Sequence, residues 1–234
     1  MSKGKNNTPV TRAVRIDMSL DRTPLKPLNN KQGQYINAIK TSGVIICIGV
    51  LGSSKTYIPA VMAADMLTAG TIEKIVVARP AEGAGPSVGF FKGTKDEKLV
   101  GWCGPVTDTI IKRVGLTTFH AYLDNGKIEL LALEQCKGRS WDDAFIIVDE
   151  AEDLDVAVAK SLVTRQGIRS TVVIAGDIAQ QDIKEYSGLE YLLEANKYRT
   201  SPAIVINFDS WDYCVRGDDA KDWGMAFEEL ERRR

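Results

Sequence analysis

The chain has 234 residues, of which 44% are hydrophobic and 26% charged, enough for one sizeable core at roughly 100–200 residues per domain. No apolar run reaches the ~18 residues of a membrane span, and no hydrophobic segment follows the basic start, so a cytoplasmic protein is expected, without membrane contact. A net charge of −1, one histidine (His120) and four scattered cysteines (Cys47, Cys103, Cys136, Cys214) argue against a bulk basic field, a His-ligated metal cluster, a disulfide framework and a zinc site.

Residues 1–26 are polar and carry Pro9 and Pro24, which predicts a flexible arm or an irregular wrap. One folded domain is expected over 27–230, with a charged end at 231–234. Tyr35, Ile36 and Ile39 share a helical face ahead of the first strand. Five continuous apolar runs follow: Val44 to Ile48, Ile75 to Ala78, Phe145 to Val148, Val172 to Ala175, and Ala203 to Ile206. Continuous runs fit strands buried on both faces. Helix-like stretches lie at Tyr57 to Ala69, Val106 to Val114, Val156 to Arg165 and Leu189 to Asn196. Their alternation predicts an α/β fold with a mostly parallel sheet covered by helices on both faces. Ile128 to Leu133 fits either a strand or another element.

The first run enters Gly49-Val50-Leu51-Gly52-Ser53-Ser54-Lys55-Thr56, and a helix begins at Tyr57. The spacing is that of a P-loop, G-x-x-x-x-G-K-[ST], with Ser54 where the last glycine belongs. Main-chain N–H groups in such a loop wrap phosphate oxygens, and the helix N-terminus adds partial positive charge. Lys55 is the candidate for the β and γ phosphates and Thr56 for Mg²⁺, making ATP and Mg²⁺ the expected ligands. A side chain at Ser54 is strained if the loop needs positive φ there, which predicts weaker binding or slow turnover.

The third run ends in Asp149-Glu150-Ala151-Glu152. Extended neighbours point to opposite sides, so Asp149 is expected toward Mg²⁺ and Glu150 toward the attacking water as catalytic base. The next strand ends in Gly176-Asp177-Ile178-Ala179-Gln180. Gln180 there is a candidate for the γ-phosphate or its water, and a polar, Asp-capped turn accounts for the segment equally well.

Taken together these motifs resemble the PhoH-like ATPases and, through them, the first core of superfamily 1 helicases, which implies a three-layer, RecA-like P-loop core. The elements that carry the resemblance run in order: Gln32 upstream of Tyr35, Ala78-Arg79-Pro80-Ala81, Gly85, Gly89-Phe90, Gly93, Gly138-Arg139-Ser140, Asp143-Ala144-Phe145, the VDEAE and GDIAQQD segments, and Ser187-Gly188-Leu189. By resemblance Gln32 contacts adenine, and a phage-type member, working in the host cytoplasm, is implied. The departures are Ser54, Glu152 in place of a usual Gln, and Tyr213-Cys214-Val215-Arg216 in place of DVVR.

Such a core needs an arginine on the transferring phosphoryl group. The expectation is that a neighbouring subunit of a ring, a hexamer favoured, supplies it, with Arg216 the first candidate and Arg165 the second. Single-stranded RNA or DNA is the implied partner. Arg79, Lys92, Lys95, Lys98, Phe90, Phe91 and Trp102 form a candidate grip of cations and aromatics, and core aromatics beside a solvated loop explain them equally. Three functions follow for testing: an ATP-driven motor or helicase-like switch, an ATP-binding regulatory module with weak hydrolysis, and a metal-dependent ribonuclease using Asp142, Asp143, Asp149 and Glu150.

Overall fold

The computed structural model describes residues 20–80, 95–136, 138–183 and 185–233, with the backbone alone for 95–98. Most of the expected N-terminal arm, Gly85, Gly89 and Gly93 of the family-resembling loop, and Phe90, Phe91 and Lys92 of the candidate grip lie outside the described residues. So do the side chains of Lys95 and Lys98.

The chain opens with α1 (Asn30–Thr41), started by Asn29, whose side chain accepts from the Gln32 N–H at 2.9 Å, the usual work of an N-cap. Tyr35, Ala38 and Ile39 are buried on one stripe of that helix, close to the predicted face. β1 (Val44–Gly49) follows, then α2 (Tyr57–Thr68) and β2 (Lys74–Arg79). Three helices, α3 (Lys95–Trp102), α4 (Gly104–Val114) and α5 (Leu116–Asp124), precede β3 (Ile128–Ala132). The undecided segment is thus a strand. β4 (Ala144–Val148), α6 (Val156–Thr164), β5 (Thr171–Gly176), α7 (Gly188–Asn196), β6 (Ile204–Phe208) and α8 (Asp218–Arg232) complete the chain.

The six strands form one sheet in the order β3-β2-β4-β5-β1-β6, and every pairing is parallel. Alternate residues of each strand feed two separate cores. Ile45, Cys47, Ile75, Val77, Phe145 and Ile147 pack with α1, α2 and α4. Ile46, Val76, Ile146, Val148, Val172 and Ile174 pack with α6 and α7. The result is the expected three-layer α/β arrangement. Each fully buried Ile or Phe contributes about 1.5–3 kcal/mol, so the strand tips stand on a stiff base.

One expectation is corrected. The last apolar run is not buried on both faces: β6 is an edge strand, with Ile204 37% and Val205 40% exposed and only Ile206 and Phe208 of its apolar residues buried. Among the described residues no helix is long and apolar enough to cross a membrane.

Candidate nucleotide-binding site

Parallel pairing brings the C-terminal ends of the strands to one edge. Ile48 aligns with Gly176, Gly49 with Phe208, and Ala78 with Val148. Ligands of open α/β sheets sit at this edge. Here it holds a cleft of roughly 490 Å³. Leu51, Gly52, Ser53, Ser54, Lys55, Thr56, Tyr57, Asp149, Glu150, Gln180 and Arg216 all line it, as do Glu152 and Asp177.

The loop has the backbone the motif requires. Gly49 has φ +123°, and a Cβ there would stand 2.2 Å from the Phe208 carbonyl oxygen, so no larger residue fits. Gly52 and Ser54 both have φ 73°. The left-handed conformation costs a residue with a Cβ about 1–2 kcal/mol, so the expected strain at Ser54 is present. Its hydroxyl is also used: Gln32 Nε2 donates to Ser54 Oγ at 3.3 Å and to the Ser53 carbonyl at 3.4 Å.

Gln32 is therefore placed differently from the resemblance-based expectation. It is buried, its Oε1 accepts from the Leu28 N–H at 2.9 Å, and it is not among the residues lining the cleft. It braces the loop from behind. Tyr35 does the same, donating its hydroxyl to the Lys55 carbonyl at 2.9 Å. Gly49 stands at the base of the loop rather than in the cleft wall.

The Lys55 ammonium folds back onto the loop, donating to the carbonyls of Gly49 at 2.5 Å and Val50 at 2.9 Å. Thr56 Oγ1 donates to Asp149 Oδ1 at 2.6 Å. Asp149 is only 5% exposed, and burial pushes its carboxyl above the usual range while the Thr56 bond pulls it back. A hydroxyl and a carboxylate converging beside a phosphate loop are the donor set for Mg²⁺, which takes one or two protein oxygens and otherwise phosphate and water. The residues fit that ion.

Asp149 and Glu150 take different partners, Thr56 and Arg79, across a turn rather than a pleat. β4 stops at Val148, and Glu150 takes φ 53°, ψ 47°, a left-handed conformation. Its Oε1 accepts from Arg79 Nη2 at 2.9 Å, and Arg79 Nη1 donates to the Trp102 carbonyl at 2.9 Å. Glu152 is 2% exposed and accepts from the Asp177 N–H at 2.9 Å. Burial, reinforced by a hydrogen bond to Glu150, pushes its carboxyl up to about 8. Gln180 Nε2 donates to Asp177 Oδ2 at 2.5 Å.

Arg216 is exposed and lies over the loop of its own chain, where the Val215 N–H donates to the Gly52 carbonyl at 3.0 Å. Arg165 lies at the end of α6, away from those lining residues, with Nε on Ser161 Oγ. The four-carboxylate ribonuclease cluster does not assemble. Asp142 and Asp143 precede β4 and bind Ile168 N–H and Arg169, while Asp149 and Glu150 follow it. The five strand residues between Asp143 and Asp149 put the two pairs about 20 Å apart. Trp102 is 7% exposed and part of the core, so it is not a free stacking platform. His120 is exposed on α5 with its ring edge-on to Phe119.

The family described as PhoH-like protein, PhoH, matches residues 24–227. The chain belongs to the PhoH family. A PhoH-like protein from Synechocystis is 35% identical over 162 residues, covering 68% of this chain and 49% of the relative. Protein PhoH of Escherichia coli K12 is 34% identical over 203 residues, 85% and 56% respectively. This PhoH-family chain thus spans about half the length of the curated relatives it matches. A chain of the S. cerevisiae Hsp104-ADP complex overlaps 87% of the chain and 36% of its own length at a TM-score of 0.34 and 12% identity.

Reading from sequence missed two features of this PhoH site. Arg79 was expected to meet nucleic acid, not Glu150. No local pattern carries that pair, because it depends on β2 and β4 lying side by side, with Ala78 aligned to Val148. Glu152 stood out only as a departure, and its burial follows from the packing of Leu189 and Gly176 around it.

Proposed function

We propose that this PhoH chain binds ATP with Mg²⁺ in the cleft and hydrolyses it, coupling turnover to single-stranded RNA or DNA in the cytoplasm. The observation that carries the reading is the Thr56–Asp149 contact at 2.6 Å beside a loop with the P-loop backbone.

Main-chain N–H groups from Leu51 to Thr56 would hold the phosphates, aided by the N-terminus of α2. Lys55 would leave the Gly49 and Val50 carbonyls for phosphate oxygens, exchanging neutral acceptors for charged ones. Thr56 and Asp149 would hold the divalent ion, which when bound neutralises charge on the β and γ phosphates. Glu150 would take a proton from the attacking water. Gln180 and Arg216, which both line the cleft, would meet the γ-phosphate, Arg216 from the same chain. A ring of copies, six favoured, remains part of the proposal, with Arg165 the candidate left for a neighbour's site.

A second reading, an ATP-binding module that turns over slowly, is favoured by the strain at Ser54 and by the Arg79–Glu150 pair. Steady-state ATPase with and without single-stranded RNA separates the two. RNA stimulation supports the coupled reading, tight ATP retention without turnover supports the module, and failure of the wild type to retain ATP defeats both.

A further inference from the structure

The pair formed by Arg79 and Glu150 has a direction. In the sheet order β3-β2-β4-β5-β1-β6, β4 carries Glu150, while the phosphate loop follows β1, two strands away through β5. Arg79 ends β2, which flanks β4 on the opposite side. The bond from Nη2 at 2.9 Å therefore draws Oε1 of Glu150, a residue that lines the cleft, toward β2, on the side opposite the loop that would hold the γ-phosphate.

The guanidinium is itself anchored. Nη1 donates to the Trp102 carbonyl at 2.9 Å, at the C-terminal end of α3, where helix carbonyls favour a cation. The Trp102 ring is buried in the core, so the anchor does not swing freely. The Glu150 backbone holds a left-handed conformation that a glutamate adopts only when its surroundings impose it.

We propose that Arg79 is a positioning residue that holds Glu150 off the attacking water, and that hydrolysis begins when a nucleic-acid phosphate takes the guanidinium instead. The inference rests on the hydrolytic reading of the cleft. A general base must aim a free lone pair at water within about 2.6–3.2 Å, and the Oε1 held by Arg79 aims elsewhere. A phosphate can replace the carboxylate because guanidinium binds both in the same bidentate fashion. Arg79 is partly exposed, its side chain at 25%, so a ligand can reach it.

The test compares wild type, R79A, R79K and R79A/E150Q in steady-state ATPase, with ATP affinity measured separately by a fluorescent ATP analogue. Release of one exposed ion pair is worth about a fivefold rise in kcat, so R79A is expected to turn over faster with unchanged KM for ATP. R79K, with a single donor point, falls between. R79A/E150Q is inactive, which shows that the gain runs through Glu150. A single-stranded RNA dodecamer accelerates wild type and leaves R79A unchanged. An R79A kcat equal to or below wild type, or equal RNA stimulation of both, overturns the proposal. A loss of thermal stability in R79A without a kcat gain marks a purely structural pair and overturns it too. If wild type does not retain the analogue, the cleft reading itself has failed. Retention by all variants with hydrolysis by none overturns the latch together with the hydrolytic reading and leaves the ATP-binding module, whereas hydrolysis by wild type with no gain in R79A removes only the latch.

Discussion

Thr56 and Asp149, 93 positions apart in the chain, meet through a 2.6 Å hydrogen bond from Oγ1 to Oδ1. The contact ties the first turn of α2 to the end of β4, and it places a buried carboxylate where only a cation or a donor makes it tolerable. D149N keeps an acceptor for Thr56 but removes the buried charge. It is expected to melt higher than wild type without ligand, by roughly 2–4 °C for about 1 kcal/mol. It should also lose the Mg²⁺-dependent gain in ATP affinity; thermal shift with ATP, with and without Mg²⁺, checks both.

E150Q preserves shape and removes the base. General-base catalysis contributes about 10²–10⁴-fold, so kcat should fall by that order while the ATP analogue still binds at wild-type affinity. A kcat within threefold of wild type would remove Glu150 from the mechanism.

Glu152 gives a pH dependence of definite sign. Folded, it keeps its proton up to about 8; unfolded, it loses it near 4.5. Between those values the folded state binds more protons, so stability falls as pH rises from 4.5 through 8, and the contribution is complete only below 4.5. Gln carries the same donor and acceptor with no proton to lose. E152Q should therefore match wild type within a few degrees at pH 5 and melt ~10–20 °C higher at pH 9, each pKa unit being worth about 1.4 kcal/mol. Parallel melting curves of the two proteins across that range would refute it.

Two glycines separate crowding from backbone strain. Gly49 (φ +123°) would press a Cβ onto the Phe208 backbone at 2.2 Å, whereas Gly70 (φ +71°) has nothing within 4 Å. G70A should cost about 1 kcal/mol of strain alone, and G49A more than about 3 kcal/mol. Urea unfolding of both reads the difference.

At Ser54 two effects oppose. S54G removes about 1–2 kcal/mol of left-handed strain and adds about 0.5–1 kcal/mol of chain entropy, so stability should change little or rise slightly. S54A keeps the strain and loses the Gln32 contact, and is expected to be the less stable of the two by chemical denaturation.

The sheet was legible because buried parallel strands are continuous apolar runs, and four of the five runs are such strands at nearly the expected limits. The fifth failed because edge position depends on strand order, which no local pattern carries: Ile204 and Val205 read as core and lie open. Ile128 to Leu133 was ambiguous for the opposite reason, with Glu129 interrupting the run to meet Lys74 and Arg139. Within the site, the loop and the acidic strand end were readable from spacing. The placement of Arg216 on its own loop, the turn of Gln32 behind it and the Arg79–Glu150 pair were not. Each depends on contacts between segments 21 to 164 residues apart.

The C-terminal segment is stitched to the phosphate loop at two points, Val50 N–H to the Phe208 carbonyl at 3.0 Å and Val215 N–H to the Gly52 carbonyl at 3.0 Å. Beyond them α8 is pinned by Trp211, whose ring fills the space over Gly224 and whose Nε1 binds Glu228. Force applied to α8 thus has a short mechanical route to the loop, through Trp211 and two main-chain bonds. A binder that tugged the last helix would loosen the cradle, and a filled cradle would stiffen the helix in return.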